Sequence, residues 1–83
     1  MMKLLDIVRA KTRDDFTLLL TFENGERRRF NFLPYLSKRP FAPLREPTLF
    51  RQVKVRHGTI TWLDGSIDFD PETLYEKSTA CEQ

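Results

Sequence analysis

The sequence predicts an α+β fold: a mostly antiparallel sheet of two hairpin or meander units, with short helices packed on one face. Two observations carry the sheet. Phe16, Leu18, Leu20 and Phe22 recur at every second residue, the period that lines one face of a pleated strand. Turn dipeptides, Asn24-Gly25, His57-Gly58 and Asp64-Gly65, separate short alternating runs. A third observation places helical turns: Pro34, Pro47 and Pro71 each stand where a first turn accepts a residue without an N–H.

Leu4 to Thr12 reads as the first strand, although Leu5, Asp6, Ile7 and Val8 alternate imperfectly and leave its inward face open. Asp14-Asp15 is a turn. The central hairpin runs from Phe16 to Phe32 around Asn24-Gly25, the pair favoured by a two-residue type I′ turn. Phe30 and Phe32 continue its apolar face; Arg27, Arg29 and Asn31 take the other, with Leu19 interrupting the polar alternation. Asn31 caps a short helix from Phe32 to Ser37, which packs Leu33 and Leu36 on the sheet. Pro40, Pro43 and Pro47 stiffen the next stretch, with Phe41 and Leu44 as plugs, and a helical turn from Pro47 to Arg51 buries Leu49 and Phe50.

A second hairpin pairs the Val53–Arg56 run with Thr59–Leu63 across His57-Gly58, and Asp64-Gly65 leads into a strand over Ser66–Phe69. Asp70-Pro71-Glu72 then starts a helix: Asp caps, Pro fills the first turn and Glu faces the positive end of the dipole. The expected core is Phe16, Leu18, Leu20, Phe22, Phe30, Phe32, Val53, Val55, Ile60 and Trp62. Residues 1–77 form one domain and residues 78–83 a flexible tail.

The order of these signals resembles the small bacterial proteins grouped as domain of unknown function 2442. The resemblance rests on Leu18–Glu26, on Phe30–Leu36, on Phe41–Phe50, and on Thr59–Gly65 with Pro71–Glu76. It implies a compact α+β domain with no assigned activity. In some relatives it implies fusion to a helix-turn-helix module, and in others a small protein partner encoded nearby, as in toxin–antitoxin pairs.

Composition narrows the function. The net charge of +2 conceals an asymmetry: residues 1–63 carry 13 Lys/Arg against 6 Asp/Glu, and residues 64–83 carry 1 against 6. Cys81 stands alone, which excludes an internal disulfide and a cysteine zinc cluster. The first residues do not form a signal peptide, no run is apolar enough to span a bilayer, and the expected location is cytoplasmic. His57, the sole histidine, sits in a turn, and Asp64, Asp68 and Asp70 lack the glycine and terminal glutamate of a calcium loop. No catalytic residue, metal ligand or cofactor site is expected, because no set of titratable groups converges.

Two surfaces remain. Arg27, Arg29, Lys54 and Arg56 are expected on the solvent side of the hairpins, able to meet phosphates or a partner, though arginine on a wet strand commonly serves solubility. Tyr35, Phe41 and Leu44 could form an apolar contact patch; the plainer reading is that they cover the core. The function this favours is a non-catalytic interaction or regulatory module, acting as a homodimer or with a small protein partner. Nucleic-acid binding through the basic sheet face is the alternative.

Overall fold

A computed structural model describes residues 6–81. The chain folds as two antiparallel sheets closed over one aromatic core, an α+β architecture with short helical turns between them. The first sheet holds β1 (Ile7–Thr12), β2 (Thr17–Phe22), β3 (Arg27–Asn31) and β7 (Thr79–Ala80), in the order β1-β2-β3-β7. The second holds β4 (Lys54–Arg56), β5 (Thr59–Trp62) and β6 (Ile67–Phe69), in the order β4-β5-β6. The backbone amide of Ile7 donates to the Gly58 carbonyl at 2.8 Å, which ties the start of β1 to the β4–β5 turn.

The alternation in β2 and β3 is realised as expected: Leu18, Leu20, Phe22, Phe30 and Phe32 are buried. Phe32 is the hub. Its ring lies 5.3 Å from Trp62, 5.5 Å from Phe50, 5.5 Å from Phe41 and 6.0 Å from Phe69, so it joins both sheets and the helical turns. Ile60, Trp62, Ile67 and Phe69 line the second sheet's inner side, and Leu36, Leu44, Phe50 and Leu74 close the core from the helical turns. The Trp62 indole N–H donates to the Phe50 carbonyl at 2.9 Å, satisfying its one polar atom inside the core. Phe16, Val53 and Val55 pack against this core but are only half-buried. Leu33 is exposed and does not pack on the sheet; the turn it belongs to is a single 3₁₀ turn, Leu33–Tyr35, too short to bring both leucines inward.

The turns depart from expectation in an instructive way. The type I′ geometry is found at His57-Gly58, where φ is 52° and 81° and Arg56 faces Thr59 directly. At Asn24-Gly25 the loop is one residue longer. The amide of Gly25 donates to the Phe22 carbonyl at 2.8 Å, Gly25 alone has a positive φ of 88°, and Phe22 donates to Glu26 at 2.9 Å. This is the three-residue loop with a glycine bulge. The Asn24 side chain holds it by accepting the Glu26 N–H at 2.9 Å, a bond a two-residue turn has no place for. Asp64-Gly65 also sits in a longer loop, with Leu63, Asp64 and Gly65 all at positive φ.

Two of the three helical starts are as expected; at the third, Phe32 and not Asn31 holds the cap position, and Asn31 only accepts the Leu33 N–H at 3.2 Å. Asp70 accepts from the Glu72 and Thr73 amides and caps α2 (Pro71–Lys77), and Pro47 opens α1 (Pro47–Phe50). The loose end expected over residues 78–83 gives way, over Ser78 to Ala80, to a docked one: Ser78 is buried, and Thr79 and Ala80 pair with Arg29 and Arg28. Leu4 and Leu5, and Glu82 and Gln83, lie outside the described residues.

Candidate functional site: the outer face of the first sheet

Register decides which cations meet. Across the first sheet Arg9 faces Thr21, which faces Arg27; Lys11 faces Leu19, which faces Arg29. Arg13 follows in line, its amide donating to the Thr17 carbonyl at 2.9 Å. Two rails of positive charge therefore flank β2: Arg9, Lys11 and Arg13 on one side, Arg27 and Arg29 on the other. Successive residues of a rail stand about 6.8 Å apart, and the rails about 9.5 Å apart, two strand spacings. Between them lies a hollow of about 730 Å³ with Leu19, Thr21 and Cys81 in its lining. Among the described residues that line it, none is acidic and none is aromatic.

A β-bulge builds the first rail. Ile7 pairs with Phe22 and Arg9 with Thr21, so Val8 is left without a partner. The extra residue lets Ile7 and Ala10 both turn to the core, and it sends Val8, Arg9 and Lys11 to the outer side. Val8 is 56% exposed at the mouth of the hollow. Leu19, the residue that broke the alternation, lies half-buried on the floor between Lys11 and Arg29.

The site expected from the sequence is only half assembled. Arg27 and Arg29 are exposed and belong to the hollow. Lys54 and Arg56 are exposed as well, but they stand on β4 of the second sheet and line no part of it. The apolar trio also divides. Leu44 is fully buried, and Tyr35 and Phe41 are half-buried, with Phe41 stacked on Phe69 at 5.2 Å and Tyr35 edge-on to it at 5.3 Å. Leu44 thus belongs to the core, and Tyr35 and Phe41 pack against it.

Arg28 is the residue that sequence reasoning passed over. Its parity is that of Phe30 and Phe32, so its guanidinium turns inward. There it donates to the Ser78 hydroxyl at 2.6 Å and the Ser78 carbonyl at 2.9 Å, pairs with Glu26, and lies 4.2 Å over the Tyr75 ring. The Tyr75 hydroxyl donates to Glu26 at 2.8 Å. That bond, helped by Arg28, lowers the Glu26 pKa, and the same bond raises the Tyr75 pKa. The cluster fastens α2 and β7 to β3 and engages the guanidinium of Arg28, a residue that also contributes to the lining of the hollow. Among the described residues no three His, Cys, Asp or Glu side chains gather as a metal site, and no helix is long and apolar enough to cross a membrane.

Fold and face together define a class: a small α+β domain whose two sheets share one aromatic core and whose larger sheet turns a cationic trough to solvent. The chain belongs to the family described as "Protein of unknown function (DUF2442)", whose family model matches residues 7–80. Nothing among the curated proteins or the solved structures matches it.

Proposed function

We propose that the chain is a non-catalytic interaction module that holds an anionic partner against the outer face of its four-stranded sheet. The observation that supports this is the single sign of that face: Arg9, Lys11, Arg13, Arg27 and Arg29 surround Leu19 and Thr21, with no acidic residue among the described lining. A face kept wet only for solubility mixes its signs, because interspersed charge avoids a strong local field. A concave surface of one sign concentrates that field and draws in the opposite charge. Retention on immobilised heparin tests the reading. The chain is expected to bind at low salt and elute as salt rises, and Arg27→Glu with Arg29→Glu is expected to abolish retention. Elution of the unaltered chain in the void at low salt would refute it.

The chain's own asymmetry supports a second reading, a homodimer. Residues 64–83 carry six acids against one lysine, and Asp68, Asp70, Glu72 and Glu76 are exposed. The acidic end of one copy would then cover the trough of another. Light scattering tests it: a dimer at low salt that dissociates with salt, and with Arg27→Glu/Arg29→Glu, supports it, while a monomer throughout ends it. The family resemblance supports a narrower form, a small protein partner in place of the second copy.

A further inference from the structure

We infer that the partner of this face is a nucleic-acid duplex, held by its phosphates rather than by its bases. The inference rests on the reading that the trough is the binding surface, and goes further by assigning its occupant. Three features favour a duplex over an acidic protein or a single strand. First, a protein partner is anchored by aromatic and apolar side chains at a charge-depleted centre. This face sets charges on both sides of a narrow floor of Leu19 and Thr21, and its described lining contains no aromatic residue that could anchor a protein partner. High positive charge with polar filling is the composition of nucleic-acid interfaces. Second, single strands are held by stacking their bases on aromatic rings. With no ring in its described lining, bases that stay stacked within a duplex suit it better. Third, the cations form two parallel rails rather than one cluster. Rails about 9.5 Å apart, carried on arginine and lysine stems several ångströms long, can reach the phosphates of both strands across one groove. Four of the five are arginines, whose planar forks pair with phosphate in a bidentate manner. Thr21, on the floor, is placed to donate its hydroxyl to a phosphate or sugar oxygen, a contact that threonine commonly makes to the backbone.

The described lining holds no Asn, Gln, Asp or Glu to read a base edge, and with the cations on phosphates the binding is independent of sequence. Its strength then comes from released counterions. Each neutralised phosphate contributes about −0.9 to the slope of log K against log salt, so five cations give a slope of roughly −4 to −5.

Fluorescence anisotropy with a labelled 20-base-pair DNA duplex, across a salt series, tests this. The expected results are a slope near −4 and equal affinity for a second duplex of scrambled sequence. The slope should flatten by about two, with at least a tenfold loss of affinity, for Arg27→Gln/Arg29→Gln. Lys54→Gln/Arg56→Gln, on the other sheet, should leave both unchanged, and circular dichroism checks that each variant is folded. Competition arms use polyglutamate and a 20-base single strand. Displacement of the duplex by polyglutamate at equal charge, or tighter binding of the single strand, overturns the duplex while leaving the interaction face intact. No binding of duplex, single strand or polyglutamate at low salt overturns both. Loss of binding through Lys54 and Arg56 instead of Arg27 and Arg29 overturns the site.

Discussion

The two sheets share one core, yet they turn different faces to water. On the second, Lys54 faces Thr61, which faces Asp68, so opposite charges flank a threonine across the strands. On the first, the corresponding rows read Arg9–Thr21–Arg27 and Lys11–Leu19–Arg29. Both satisfy the same rule, apolar inside and polar outside. The difference lies in what stands opposite: a mixed row cancels its own field, whereas a row of one sign adds up. Whether a wet sheet face can hold a charged partner is thus a property of register, set across strands rather than along them. The turns differ in parallel. The β4–β5 turn is a tight pair at positive φ with Asp6 close by, and the β2–β3 turn is a longer loop with open space around its glycine.

The sharpest way to break the comparison is through the core the sheets share. Phe32→Ala is expected to cost about 3–5 kcal/mol, enough to unfold a domain of this size, and Phe32→Leu about 1–2 kcal/mol. Urea titrations of Phe32→Leu followed by Trp62 fluorescence and by circular dichroism should coincide. Separate transitions would mean that the sheets fold independently.

The glycines come next. A methyl group on Gly58 would stand 2.5 Å from the Asp6 carboxylate and would meet a φ of 81°, while Gly25 has the strained φ alone. Gly25→Ala should cost about 1–2 kcal/mol and Gly58→Ala more, which thermal melts of the two variants will order.

A smaller effect concerns pH. Glu26 has a lowered pKa in the folded chain, so its contribution is present above the ordinary carboxylate range and lost as pH falls through the lowered value. Tyr75 has a raised pKa, so its contribution is present below the ordinary tyrosine range and lost as pH rises through the raised value. Tyr75→Phe should therefore bring the Glu26 pKa, followed by NMR, back toward the ordinary value, and should remove the alkaline step from the melting profile. The smallest effect belongs to Lys54→Gln/Arg56→Gln, expected to leave stability within about 0.5 kcal/mol.

Much of the fold was legible. The period of β2, the cap Asp70 and the helix-opening Pro47 act locally, and here the tertiary context agrees with them. The misreadings have local and non-local causes. Asn24-Gly25 carries the chemistry of two loop lengths, and the choice between them lies in a side-chain bond from Asn24 to the Glu26 amide. The site was half legible for a similar reason. Arg27 and Arg29 follow from alternation, but Arg9 and Lys11 follow only once Val8 is bulged. The uneven run Ile7-Val8-Arg9-Ala10 was the signal, since Ile7 and Ala10 share a face only if one residue is extra. Arg28 could have been found from its parity with Phe30; what it meets, Ser78 and Tyr75, lies about fifty residues away in sequence.

The central claim is that cross-strand register makes the first sheet, and not the second, the contact surface. Amide chemical-shift mapping of the ¹⁵N-labelled chain titrated with a heparin hexasaccharide tests it most directly. The account predicts the largest shifts at Arg9, Lys11, Thr21, Arg27 and Arg29. Shifts centred on Lys54 and Arg56, or spread evenly over every exposed lysine and arginine, would contradict it.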